Sequence, residues 1–208
     1  EEVGILCLRP PATMRSLGAD APALGSPKPL YTHQSPPLRK IVDRTNMESV
    51  NLYAEALLRA IGRKVKGEGS AEAGLAAIYD YWEGRGLDLA GVQLYDGSGM
   101  APRNVVPPAF FCDLLSAMYQ DQNVRQAFWE SLPLAGRSGS LKNSLKGTLA
   151  EGKLRAKSGS LERVRAYSGY VTNREGKVLA FSVLLNNYEG DGGDARRELL
   201  EIMARLAE

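Results

Sequence analysis

Apolar positions change period along the chain, helical first and strand-like late. Val50, Tyr53, Ala54, Leu57, Leu58 and Ile61 fall at i, i+3, i+4, i+7, i+8 and i+11, the stripe of an amphipathic helix. Thr45-Asn46-Met47-Glu48 ahead of it has the form of a capping box, with Thr45 capping, and Gly62 is expected to stop it. Leu38 to Arg44 reads as one or two earlier helical turns. A second helix is capped by Ser70, carries Gly74, Ala77, Ile78, Tyr81 and Trp82 on one face, and ends at Gly84 and Gly86. Pro107-Pro108 opens a third, with Phe110, Phe111, Leu114, Leu115 and Met118. Asp121 is expected to cap a fourth through Trp129, and a short polar helix is expected around Leu141 to Lys146. The final helix is capped by Asp194 and buries Leu199, Leu200, Met203 and Leu206.

From Leu154 to Asn187 the pattern reads instead as three successive strands. Asn173-Arg174-Glu175-Gly176 is a turn between two apolar runs, Tyr167 to Val171 and Val178 to Leu185, the mark of a hairpin with a short loop. Val92 to Tyr95 is a further short strand, and Asp96-Gly97-Ser98-Gly99 a tight turn. Helices bracketing a late antiparallel sheet make the fold class α+β. Residues 1–30 are the least regular. Val3 to Leu8 is a strand candidate, Ser16 to Pro29 a loop, and Leu30 to Gln34 a short strand that stops at Ser35-Pro36-Pro37.

Composition narrows the function classes. A length of 208 residues suits one sizeable domain, and no apolar run is long enough to span a bilayer. A net charge of +2 is too small to argue for nucleic acid or anionic lipid as a partner. The chain opens on Glu1-Glu2-Val3-Gly4, with no Met and no signal-peptide pattern, and reads as a piece of a longer precursor or a processed product. Cys7 and Cys112 have no metal-ligand spacing. They are two separate thiols or, in an exported protein, a disulfide. A single histidine, His33, argues against a Ser-His-Asp triad or a multi-histidine metal site, and neither cofactor nor metal is expected.

The candidate chemistry lies in two short motifs. Lys157-Ser158-Gly159 sits on the first late strand, where glycine beside lysine lets another backbone approach. Alone it is an edge strand with a solvated lysine. Ser49-Val50-Asn51 flanks the first apolar stripe. If the helix starts near Asn51, Ser49 and Asn51 both point into a cleft from the preceding loop. If it starts at Asn46, they sit about 200° apart around the axis and cannot converge.

Together with the Asp96 to Gly99 turn, these motifs resemble the class C low-molecular-mass penicillin-binding proteins, the D-alanyl-D-alanine carboxypeptidase/endopeptidases. That family's site is written S-x-x-K, S-x-N and K-T-G. Ser49-Val50-Asn51 matches the second motif and Lys157-Ser158-Gly159 the third, with Ser158 for threonine. Ser35-Pro36-Pro37-Leu38, Asn51-Leu52-Tyr53-Ala54-Glu55 and Leu132-Pro133-Leu134-Ala135-Gly136 extend the match from about residue 29 to the C-terminus. No serine in the chain has a lysine three positions on, so S-x-x-K is absent.

The resemblance implies the serine β-lactamase/penicillin-binding transpeptidase-like fold. Residues 1–34 would be the end of an inserted module and a return strand, and 35–208 the C-terminal part of the peptidase domain. It implies acyl-enzyme chemistry on peptidoglycan stem peptides, inhibition by β-lactams, and a place outside the cytoplasmic membrane, in the periplasm or cell envelope. Catalytic roles fall to Ser49, Asn51 and Lys157, and substrate binding to Ser158, Gly159 and Ser160. It also places a helix start near Asn51. Asp96 to Gly99 is read as a structural turn, and Ser98 and Ser140 are not assigned to the site. Without the nucleophile this chain alone is expected to be inactive, and a sheet short of strands is expected to need the missing N-terminal part or a second copy. The alternative function is a non-catalytic peptidoglycan-binding or regulatory fragment. A β-lactamase or esterase of the same superfamily fits the flanking segments less well.

Overall fold

Alternating side chains in the last third of the chain build a sheet with two different faces. In the computed structural model, which describes residues 14–20 and 29–208, β1 (Leu154–Leu161), β2 (Val164–Thr172) and β3 (Val178–Asn186) form an antiparallel sheet in the order β1-β2-β3. Leu154, Ala156, Tyr167, Val171 and Phe181 are buried in one cluster with Leu199 and Met203 of the C-terminal helix, Gly192–Arg205. Tyr170, from the alternate set, packs with Leu115, Tyr119, Phe128 and Trp129. Its hydroxyl donates to the Leu115 carbonyl at 2.7 Å, as a buried phenol must, and burial pushes its pKa well above the ordinary tyrosine range. The β1–β2 register sets Lys157 beside Ser168 and Ser158 beside Tyr167, so adjacent residues of the lysine motif face opposite ways.

The helices are α1 (Met14–Leu17), α2 (Leu38–Glu48), α3 (Asn51–Lys66), α4 (Ala71–Glu83), α5 (Pro108–Gln120), α6 (Arg125–Ser131) and α7 (Gly192–Arg205), of which α2 to α7 come in the predicted order. The result is an α+β fold. The chain divides into two units, Glu1–Ser35 and Pro36–Glu208. The first carries α1 and a 3-10 turn, Gly18–Asp20, where the sequence suggests only loop. Leu30 to Gln34 form no strand, since both Leu30 and Tyr31 are exposed and no ladder is made there. Val3 to Leu8 and Cys7 lie outside the described residues, whereas Cys112 is a free, half-buried thiol.

Several expected helix boundaries move. Thr45 does not cap a helix. It lies inside α2, where its hydroxyl donates to the Ile41 carbonyl at 2.7 Å, the i−4 bond threonine makes mid-helix. Gly62 does not stop α3, which runs on to Lys66 and ends at Gly67 with φ 79°. Gly62 is instead a contact residue. A Cβ there would fall 2.7 Å from the Gly74 backbone nitrogen, and one on Gly74 would run into the Leu58 carbonyl. Leu141 to Lys146 form no helix beyond the 3-10 turn Gly139–Leu141, because Leu141 and Leu145 are both buried and Leu145 sits at φ 63°. Asp191, not Asp194, holds the cap position of α7. Asp121 makes an Asx turn on Asn123 at 3.0 Å, ahead of an α6 that begins only at Arg125. Val92 to Tyr95 reduces to one bridge, Gln93 with Val105. Tyr81 is exposed under Arg85 rather than buried.

Helices α3 and α4 therefore approach through glycine, and added volume has nowhere to go. Gly74→Ala is expected to lower stability by about 1–3 kcal/mol, read as a fall in the urea midpoint at unchanged slope. Ser70→Ala, which removes only the hydroxyl that caps α4 through Ala73 N–H at 3.1 Å, should cost about 1 kcal/mol.

Candidate active site

Ser49 sits in a two-residue joint. Helix α2 ends at Glu48 and α3 starts at Asn51, leaving Ser49 in the left-handed region (φ 55°, ψ 51°) and Val50 extended. A non-glycine residue in that region costs of order 1–3 kcal/mol and persists only where its surroundings hold it. Here the N–H groups of Ser49 and Val50 both reach the Thr45 carbonyl. One turn earlier, Asn46 donates to the hydroxyl of fully buried Ser131 at 2.7 Å, which donates in turn to Phe128 O. Gly139 leaves room for the Met47 carbonyl, 3.0 Å from where its Cβ would be.

The joint points Ser49 at β1. Lys157 Nζ donates to Ser49 Oγ at 2.8 Å and to the Ser158 carbonyl at 2.8 Å. No carboxylate pairs with it among the described residues. Burial in this neutral setting pulls the ammonium pKa below the ordinary lysine value. An ammonium has donors only, so Ser49 Oγ accepts from it and keeps its own O–H free to donate onward.

Around this pair lies a cleft of about 590 Å³ lined by Asn51, Gly97, Lys157, Ser158, Gly159 and Ser160, among others. Asn51 is exposed in the first turn of α3. Gly159 keeps the strand open, since a Cβ there would meet only Ala166, at 3.6 Å. Ser158 Oγ donates to Ser140 Oγ at 3.0 Å, and Arg165 donates to Ser160 Oγ.

The opposite wall is the Asp96 turn. Glu55, one turn into α3, accepts from the N–H groups of Gly97 (3.0 Å) and Ser98 (2.9 Å). Asp96 accepts from Gly99 N, Ala101 N and Asn104 Nδ2. Burial opposes its charge, but these bonds outweigh it and hold the carboxyl below the usual range.

The structure brings all six sequence-predicted residues to one cleft and bonds two of them, Ser49 and Lys157, directly. Sequence reasoning missed Ser140, which supports Ser158, and the Glu55 clamp. Glu55 carried a usable signal: a turn with two unpaired N–H groups needs an acceptor, and Glu55 follows Asn51 by one helical turn. His33 is exposed in the Glu1–Ser35 unit. Among the described residues no cluster of three or more His, Cys, Asp or Glu is placed to hold a metal ion.

Comparison with known proteins resolves what this arrangement is. The profile of the D-Ala-D-Ala carboxypeptidase 3 (S13) family of peptidases matches residues 17–207. The chain belongs to this family. Among the S13 family's curated members, it is 38% identical over 184 residues to a D-alanyl-D-alanine carboxypeptidase of Actinomadura sp., covering 86% of this chain and 34% of that protein. It is 31% identical over 178 residues to carboxypeptidase DacB of Mycolicibacterium smegmatis, covering 83% and 38%. It thus spans little more than a third of the length of these relatives. Penicillin binding protein 4 from Haemophilus influenzae, solved with a β-lactam bound, superposes with TM-score 0.75 at 27% identity over 84% of this chain and 41% of that one. An extended-spectrum β-lactamase at 16% identity shares the fold, with TM-score 0.63 over 82% of this chain and 64% of that one.

The desolvated lysine of this S13 chain has a measurable signature. Its pKa is lower folded than unfolded, so between the two values the unfolded state binds more protons and stability rises with pH. Below that window the cost of burying the charge is fully present. Lys157→Met is therefore expected to raise the melting temperature at pH 7. The gain should shrink as pH rises through the folded pKa towards the ordinary lysine value of 10.5.

Proposed function

We propose that this chain forms most of the cleft of a serine-type D-Ala-D-Ala carboxypeptidase/endopeptidase acting on peptidoglycan stem peptides by acyl-enzyme chemistry, at a site outside the cytoplasmic membrane. The observation that carries the reading is the 2.8 Å bond from Lys157 Nζ to Ser49 Oγ, across 108 residues of sequence, in a cleft lined by Asn51 and Ser158 to Ser160. Acyl transfer needs an activated hydroxyl, a proton path to the leaving amine and donors for the oxyanion. Ser49, with its own O–H free, relays a proton to the departing D-alanine nitrogen. Lys157 supplies positive charge beside it. Asn51 donates to the peptide carbonyl of the substrate. Residues 158–160 belong to β1 beyond its bridge to Leu134 at Arg155, where β2 is its one strand partner among the described residues, so an extended peptide can add there as a strand. The Ser160 N–H is one oxyanion donor. The nucleophilic serine and its lysine base come from an S-x-x-K segment, which these 208 residues do not contain. In this reading residues 35–208 are part of a peptidase domain, residues 1–34 are the end of an inserted module, and the remainder of the domain or a second copy covers the free edge of β3.

The missing S-x-x-K favours a second reading, a peptidoglycan-binding or regulatory module that keeps the cleft without chemistry. Intact mass after incubation with penicillin separates the two. The 208-residue chain is expected to gain no adduct, and a stable adduct would reveal a nucleophile among its own residues. A form carrying S-x-x-K is expected to gain one penicilloyl mass, and its failure to do so would leave the binding module. In that form Lys157→Ala should slow acylation by about 10²–10⁴-fold, measured by stopped-flow with a fluorescent penicillin. Unchanged acylation would reduce Lys157 to a strand lysine.

A further inference from the structure

Beside the cleft lies a second, apolar hollow that the proposed chemistry does not use. Its volume is about 140 Å³, and Ile78, Trp82, Leu94, Val106, Phe111 and Leu114 are among its walls. They come from α4, α5 and the chain between them. Every lining side chain is apolar or aromatic. The one lining hydroxyl, on Tyr79, is already engaged. It donates to the Val92 carbonyl at 3.1 Å and accepts from the Leu94 N–H at 3.0 Å. The bridge between Gln93 and Val105 likewise uses its own N–H and carbonyl groups, at 2.7 and 2.8 Å.

A water in such a place needs two to four polar partners, and this lining offers none. The hollow is therefore dry, and the atoms around it lack contacts that an apolar occupant would supply. It is too small for a whole ligand, since such pockets run to about 300 Å³ and more. It is close to the size that holds a single benzene ring, about 150 Å³.

Phe111 decides what that occupant belongs to. Its side chain lines both the hollow and the cleft. It is half-buried, whereas its neighbour Phe110 is buried and meets it edge-on at 6.3 Å. Val50, Ala54 and Met100 add apolar surface to the cleft lining that Phe111 shares.

We propose that the hollow is an apolar subsite of the cleft, taking one phenyl-sized group of a ligand whose polar part lies in the cleft, with Phe111 as the partition between them. This goes beyond the peptidase reading, because it concerns the shape of the ligand and holds whatever reaction the cleft performs.

The test is titration of the full 208-residue chain with benzene, followed by methyl-resolved NMR. Saturable shifts are expected at Ile78, Leu94 and Leu114, with half-saturation at about 1 mM, and none at Leu199 under the sheet. Ile78→Phe fills the hollow and should weaken benzene binding by about tenfold or more. Leu114→Phe fills it from α5 and serves if Ile78→Phe does not fold. Phe111→Ala removes the partition. Naphthalene, too long for the hollow alone, should then bind about tenfold more tightly than to wild type, while benzene gains less. Phe111→Leu is a smaller opening with the same direction of effect, and it decides the matter if Phe111→Ala does not fold. Wild type without saturable shifts overturns the subsite, as does benzene binding unchanged in a folded filling variant. Naphthalene binding unchanged in the folded Phe111 variant overturns the connection to the cleft. Each of these results leaves the peptidase reading, which rests on Lys157 and Ser49, standing.

Discussion

A lysine ammonium held between two neutral oxygens, with no carboxylate beside it among the described residues, is the constraint on which the site depends. Charge in a half-buried place is costly unless it is paired or well hydrogen-bonded. Among the described residues, Lys157 meets that condition through Ser49 and the Ser158 carbonyl. Both partners must therefore stay where they are. One is the backbone of β1 itself. The other is a serine in a left-handed conformation, which the chain tolerates because Asn46, Ser131 and the Gly139 loop brace the joint from behind. The cation remains unsatisfied in charge, and the cleft stays attractive to an electron-rich ligand.

Much of this was legible in the sequence because the relevant physics is local. The period of apolar residues placed α3, α4, α5 and the three strands, and the Asn173 to Gly176 turn joins β2 to β3 as read. Ser49, Asn51 and Lys157 were recognised as motif residues by resemblance. Periodicity alone left open whether Ser49 and Asn51 share a cleft, and the break at Ser49 resolves it. What decides the break is backbone bonding to Thr45 and tertiary support from α6, neither of which leaves a mark in residues 45–51.

The misreadings share one cause. Thr45, Gly62, Asp121 and Asp194 each read as punctuation because of what such residues do at helix ends. Threonine bonds equally well to the carbonyl one turn back, and glycine also serves where two helices must touch. Tertiary contact chose between these uses, as at Gly62 and Gly74. Leu141 and Leu145 went the other way. Their polar neighbours suggested a surface helix, while burial of both leucines drew the segment into turns under the sheet.

The same Lys157–Ser49 bond also closes a very large ring of chain. Bringing residues 108 apart together costs about 4 kcal/mol in loop entropy on a simple logarithmic scaling, far more than one hydrogen bond of this kind returns. The bond cannot recruit the helical segment to the sheet by itself. It forms only after apolar packing has drawn the α2–α6 layer onto the strands. The cleft is thus a late product of folding, and a chain that has acquired its helices and its hairpins separately has no cleft at all.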